Sequence, residues 1–277
     1  MVQEVADHEL DRGDPRYTLT DFEREEVLAL KTSCDEVGID YDSIFELAKY
    51  CLVSSSIQDT KKRRADSLNR LKKKRAFEKK HDLESLEVFE CVKILQENMP
   101  DWAVSCGKIG DKQCVGYSSG GTDPGFFKRV QNALEIVCKV EFTRYDLAAA
   151  DLEEARRGFV VVGSMKGLKA NPISAARMGI SLKVLFDKMN ANRIKNIYAE
   201  SPRALAYFAS MVLNVFPKKI RERVDIAGSI SELKVAKGEG FYQNVPSVFG
   251  GEYDMPVEDW IHERMDVLNE TKRKVVL

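Results

Sequence analysis

Four short apolar runs divide the second half of the chain: KQCVGYSS, GFVVVGSM, IKNIYAE and RVDIAGS. Each has the length of a strand, and each is followed by a stretch of helical period. A run as apolar as Phe159 to Val162 belongs on a strand buried on both faces, as in a sheet covered by crossover helices. Asn171 before Pro172, and Ser201 before Pro202, each pair a capping residue with a proline at the first helical position, which marks where two of those helices start. Strands joined through helices run largely parallel. The expectation for residues 100–277 is therefore an α/β fold with a mostly parallel sheet.

Before Pro100 the period is helical. Thr20 or Asp21 can cap FEREEVLALKTSCDEV, and YDSIFELAKYCLV continues the pattern. From Asp66 to Met99 the apolar residues Leu68, Leu71, Leu83, Leu86, Phe89, Cys91, Ile94 and Leu95 fall at helical spacing with no internal glycine or proline. Residues 21–99 are expected to form a small all-helical subdomain. Residues 1–20 are polar and aperiodic, and are expected to be a flexible tail.

With 277 residues and 44% hydrophobic content the chain can bury a sizeable core. Its net charge of −1 conceals acidic and basic residues that segregate along the sequence, so local clusters matter more than the total. No stretch approaches the roughly 18 to 20 consecutive apolar residues that span a bilayer, and MVQEVADHEL is too acidic for a signal or transit peptide. A cytoplasmic protein is expected. The six cysteines lack C-x-x-C pairs and framework spacing, which favours free thiols.

Catalytic signals are sparse. The three histidines, His8, His81 and His262, are isolated, and the last two lie in charged helical segments where a solvated imidazole is the default. VVVGSMKG lacks the spacing of a phosphate loop, and the S-x-x-K matches at Ser105 and Ser231 have no companion motifs. Glu153 and Glu154 sit among arginines at an expected helix end, where surface charge is the ordinary reading. The chain is read as no enzyme, with no metal and no cofactor.

Two features remain. A basic tract runs from Lys61 to Lys80 and contains RLKKKRAF; only Phe77 in it is aromatic, so stacking residues for single-stranded nucleic acid are missing and no nucleic-acid partner is expected. SPRALAYFASMVLNVF is apolar nearly all round, with Ala204, Tyr207, Phe208, Met211 and Val215 on one helical face and Leu205, Ala209, Val212 and Leu213 on others. PKKIRERVDIAG follows it directly and carries Lys218, Lys219, Arg221 and Arg223. Pattern alone leaves open a core helix followed by a solvated turn.

The order YAESPRALAYFASMVLNVFPKKIRERVDIAGS and then NVPSVFGGEYD resembles the CRAL-TRIO lipid-binding and transfer family, over about Asp66 to Met265. LNRLKKKRAF is similar to that family's helical signature, with Arg70, Lys73, Arg75 and Phe77 in register. Val245, Pro246, Phe249, Gly250 and Gly251 match its glycine turn, and Lys219 to Val224 match its basic segment. The resemblance implies a sheet flooring an apolar cavity, closed by a gate helix over Ser201 to Phe216 that opens at membranes to exchange one lipid. Tyr117, Phe159, Val161, Phe186, Ala204, Leu205, Tyr207, Phe208, Met211 and Val212 are then the cavity and gate residues. Lys219, Arg221 and Arg223, joined by Lys73 and Arg75 of the signature, are the implied headgroup ligands, with RLKKKRAF helping to seat the protein on anionic lipid. The chain departs from the family at Ser164, where an acidic residue is usual, and at Phe159 and Val161, where phosphatidylcholine binders place hydroxyls. The implied partners are a hydrophobic lipid or phospholipid and, reversibly, an anionic membrane surface, met by a monomer that is cytoplasmic and peripheral on membranes. A lipid-gated protein-interaction module is the alternative.

Overall fold

The computed structural model describes residues 13–100, 102–118, 125–166, 189–191, 193–201 and 218–277. Helix α1 (Asp21–Val37) starts at Thr20, whose hydroxyl accepts from the Glu23 amide while the Glu23 carboxylate accepts from the Thr20 amide, a reciprocal cap. Helix α2 (Ile44–Ser54) is capped by Ser43, and α3 (Thr60–Lys80) by Asp59. These three helices share a core of Val27, Leu30, Phe45, Leu47, Tyr50 and Leu71.

The periodic stretch from Asp66 to Met99 is not one continuous helix. Asp82 takes a left-handed conformation with φ 47°, a short 3-10 turn covers Leu83–Ser85, and α4 (Val88–Asn98) leaves in a new direction. The turn inserts Leu83, Cys91, Val92 and Leu95 among the residues that cover the sheet. An aspartate tolerates this backbone at modest cost, so no glycine or proline was needed to mark it.

Strand β1 (Ala103–Ser105) pairs antiparallel with β2 (Cys114–Ser118). Helices α5 (Phe126–Arg129), α6 (Ala133–Leu147) and α7 (Leu152–Arg157) follow, then β3 (Phe159–Ser164), β4 (Ile194–Glu200), the short α8 (Lys218–Arg221) and β5 (Val224–Ala227). The sheet order is β1-β2-β3-β4-β5, and every pairing after the first is parallel. The parallel strands are the four apolar runs of the sequence; β1, three residues long, is too short to carry a period. Helix α9 (Val257–Lys274) comes last.

Side chains alternate across β3. Phe159 and Val161 join Val115, Tyr145 and Trp260 on one face, whereas Val160 and Val162 meet Cys114, Ile230, Leu233 and Phe249 on the other. Burial on both faces is what the run implied. On the second face the glycine turn folds back: a Cβ on Gly251 would lie 2.0 Å from the Val245 carbonyl oxygen, so only glycine fits, and the turn buries Val245 and Phe249.

Residues 13–20 are not a loose tail. Arg156 donates to the carbonyls of Pro15 and Thr18, each at 2.7 Å, the Leu152 amide donates to Arg16, and Leu19 is buried. Residues 1–12 lie outside the described part. Two readings of single residues also change. Glu154 is buried, held by Arg264 and by Gln113 at 2.9 Å, and His81 Nδ1 lies 2.7 Å from the Glu135 carboxylate; both became visible only once α7, α9 and α6 were packed. No described helix is long and apolar enough to cross a membrane.

All six cysteines are free and buried. Burial pushes the thiols of Cys51 and Cys138 up to about 12 and that of Cys34 up to about 11. Because the thiolate is the nucleophile, the native protein is expected to react with a disulfide reagent at pH 8 far more slowly than the denatured protein, which should release six equivalents of chromophore. Rapid labelling of any thiol in native buffer would contradict this packing.

Candidate functional site

The site lies where the parallel strands begin. Each of β3, β4 and β5 has an arginine just ahead of it: Arg157 one residue before Gly158, Arg193 before Ile194, and Arg223 before Val224. Parallel pairing places Phe159 beside Ile194 and Val224 beside Ile197, so Arg223 stands opposite Asn196, three residues beyond Arg193, and its side chain reaches back along β4 toward Arg193. The Phe159 amide donates to the Arg193 carbonyl at 3.1 Å, and the Ile197 amide donates to that of Arg223 at 2.9 Å. Gly158 makes the approach possible. Its φ is +72°, and a Cβ there would come within 2.2 Å of the Arg193 carbonyl oxygen. A bulge then shifts the register between Phe159 and Val160, pairing Phe159 with Ile194 but Val160 with Asn196.

The arginines at this rim differ in how their charge is balanced. Arg156 binds the Glu23 carboxylate at 2.6 Å, and Arg157 pairs with Glu153 and reaches Asp111. Arg193 and Arg223 have no carboxylate partner among the described residues. Arg193 Nη1 donates to the Arg156 carbonyl at 2.8 Å, and Arg223 Nη1 donates to the Ile194 carbonyl, so backbone oxygens orient both guanidinium groups without neutralising them. Both side chains are half-buried. Burial, and then the positive charge of Arg223, hold the Arg193 guanidinium below its ordinary value. Two partly desolvated like charges favour an anion between or upon them.

No protein-family model and no curated protein matches this chain significantly.

Of the expected headgroup ligands, Arg223 stands at this rim. Arg221 is exposed on α8, and nothing is described of the Lys219 side chain. Lys73 and Arg75 belong to a different neighbourhood. Arg75 binds Glu46, binds Glu78 at 2.8 Å and donates to the Asp40 carbonyl at 3.0 Å, so it ties α3 to α2 and to the turn after α1. Lys73 is exposed on α3. Arg70, in the same signature, is held by Asp66 at 2.7 Å.

Of the expected cavity residues, Tyr117, Phe159 and Val161 come together on the α6 face of the sheet. The Tyr117 hydroxyl donates to Glu141 and lies 2.9 Å from the Tyr145 hydroxyl, from which it accepts, and the rings of Tyr145 and Phe159 lie 5.4 Å apart. Phe186, Ala204, Leu205, Tyr207, Phe208, Met211 and Val212 lie outside the described residues. At the opposite end of the strands, Ser164 donates to the Glu200 carboxylate at 2.6 Å.

Arg193 is the member of the site that sequence reasoning missed. Its signal was present, a lone basic residue one position before a strand, but only the fold carries the Arg223 side chain back along β4 to the Ile194 carbonyl, next to Arg193. Chemically, two guanidinium groups offer ten N–H donors in planar forks, suited to bidentate contact with phosphate or carboxylate oxygens.

Proposed function

We propose that this protein binds one hydrophobic lipid and exchanges it at membranes, reading an anionic headgroup phosphate with Arg193 and Arg223 at the start of β4 and β5. The observation that carries the reading is a half-buried pair of cations with no carboxylate partner among the described residues, of which Arg223 belongs to the basic segment that resembles a lipid-transfer family. In this reading the apolar sequence 201–216, which lies between Arg193 and Arg223 in the chain, is the segment that meets the acyl chains, and Lys219 and Arg221 add basic residues after it. The process makes and breaks no covalent bond. Its driving force is burial of the acyl chains, about 0.8 kcal/mol for each methylene removed from water.

Native mass spectrometry of the purified protein tests the carrier reading directly: a bound lipid is expected, and a protein that neither carries lipid nor moves labelled lipid between vesicles contradicts it. The headgroup reading has its own test. Hydrogen bonds to charged groups are worth about 1.5–3 kcal/mol, so Arg193→Ala and Arg223→Ala are each expected to weaken binding to phosphoinositide-containing vesicles at least tenfold. Binding to neutral vesicles should be little changed. A double variant that keeps its phosphoinositide preference would remove these arginines from the site.

A further inference from the structure

Helix α3 runs for 21 residues, or about 30 Å at 1.5 Å per residue. Its acids and arginines are paired with one another or with other parts of the protein. Asp66 holds Arg70, Glu78 holds Arg75, and Arg63 and Arg64 both bind Glu26 of α1. Lys74 is also turned in, onto Asp146 of α6 at 3.3 Å. What faces solvent is of one kind. Six lysines are exposed, Lys61, Lys62, Lys72, Lys73, Lys79 and Lys80, and the other exposed positions are Thr60, Ala65, Asn69 and Ala76. None of the six has a carboxylate within salt-bridge distance among the described residues.

The spacing arranges them in two lines. Lys62, Lys73 and Lys80 are separated by 11 and 7 residues, which on an α-helix is close to whole turns, and Lys61, Lys72 and Lys79 repeat the same intervals. Each line therefore runs nearly straight along the helix, with its charges about 16 and 10 Å apart. The second line borders a groove of about 980 Å³ whose lining includes Asp40, Asp42 and Glu84. The first line lies about 100° further round the helix.

We propose that this lysine face of α3 docks the protein on an anionic lipid bilayer, independently of the arginine pair that reads the headgroup. The choice of a bilayer rests on the lipid-carrier reading, which requires visits to membranes. It also follows from the chemistry of the face. Lysines are hydrated point charges without the fixed fork that arginine offers to a particular phosphate. The face has no exposed aromatic side chain for stacking on bases. A straight, flat row of such charges suits a fluid plane of anionic headgroups, which can move to meet them, and each lysine near such a surface raises partition about fivefold. RLKKKRAF thereby divides in two: Lys72 and Lys73 belong to the docking face, whereas Arg70, Lys74 and Arg75 hold the helix in the fold.

The test uses the full chain and vesicles of phosphatidylcholine mixed with phosphatidylserine, without phosphoinositide. The triple variant Lys62→Gln, Lys73→Gln, Lys80→Gln alters only exposed positions and should keep the parent's melting temperature. It is expected to lose about a hundredfold in partition onto these vesicles, and added salt should release the parent from them. The variant should retain whatever lipid native mass spectrometry finds in the parent. If the triple variant partitions like the parent, or if the parent ignores phosphatidylserine, the proposal is overturned. It is equally overturned if a duplex RNA displaces the parent from vesicles and binds through the same lysines. A parent that carries no lipid yet loses vesicle binding in the triple variant would sink the carrier reading and leave the docking face standing.

Discussion

Glu141→Gln is expected to destabilise the protein by about 3–5 kcal/mol, the cost of removing one partner from a buried ion pair. Glu141 and Arg144 lie one turn apart on α6, and both are essentially inaccessible to solvent. Arg144 Nη1 donates to both oxygens of Glu141 at 3.0 and 3.1 Å, and its Nη2 donates to the carbonyls of Val104 at 2.7 Å and Gly116 at 2.6 Å. The arginine thus joins α6 to β1 and β2, and its charge is tolerated in the interior because the carboxylate beside it also accepts from Trp102 and Tyr117. An amide at 141 preserves the shape and removes the counter-charge. Against a typical total stability of about 5–15 kcal/mol, the loss should be plain in the midpoint of a urea titration. A change below about 1 kcal/mol would show that Arg144 finds its compensation elsewhere.

The second large effect is expected in acid. Asp146, at the end of α6, receives Lys49 of α2 at 2.6 Å and Lys74 of α3 at 3.3 Å. Burial by itself would raise its pKa, but the two ammonium groups outweigh that and hold the carboxyl well below the usual carboxylate range. A carboxylate whose folded pKa is depressed contributes stability that is complete above its unfolded value, about 4, and is lost as pH falls toward the folded value. The contact between the helical layer and α6 should therefore weaken progressively below about pH 4. Asp146→Asn should lower stability at neutral pH by about 3 kcal/mol, because the buried Lys49 loses its counter-ion and Lys74 keeps only Glu78, at 3.8 Å, and should flatten the fall in stability between about pH 4 and pH 2. Parallel pH profiles of the variant and the parent would contradict this account.

These two positions show what could and could not be read from the chain. Glu141, Arg144 and Asp146 belong to VEFTRYD, which looks like any surface segment of a charged helix. Whether a helical charge is solvated or buried depends on which side of the helix meets the sheet, and that is set by residues far away in sequence. The same holds for the basic tract. Its composition signalled an anion, yet Lys73 and Lys74 are adjacent in sequence and differ completely in role, because one points outward and the other meets Asp146.

Local physics was legible where it is self-contained. The cap at Thr20, the strand positions of the four apolar runs, the burial of Phe159 to Val162 on two faces and the free cysteines all follow from short-range chemistry or from solubility of side chains, and the structure has them. The break at Asp82 escaped because an aspartate can adopt a left-handed turn without announcing it, and the gain that favours the turn comes from packing α4 on α6. The candidate site divides along the same line: Arg223 stood out as one of several basic residues in one segment, whereas Arg193 lies 30 positions earlier and becomes its neighbour only because the Arg223 side chain reaches back along β4 to the Ile194 carbonyl. Sequence determined the elements and the kinds of charge they carry, since those depend on neighbours within a turn or two. Which charges are neutralised and which remain for a ligand was decided by tertiary structure alone, since a carboxylate within a few ångströms in space can come from anywhere in the chain.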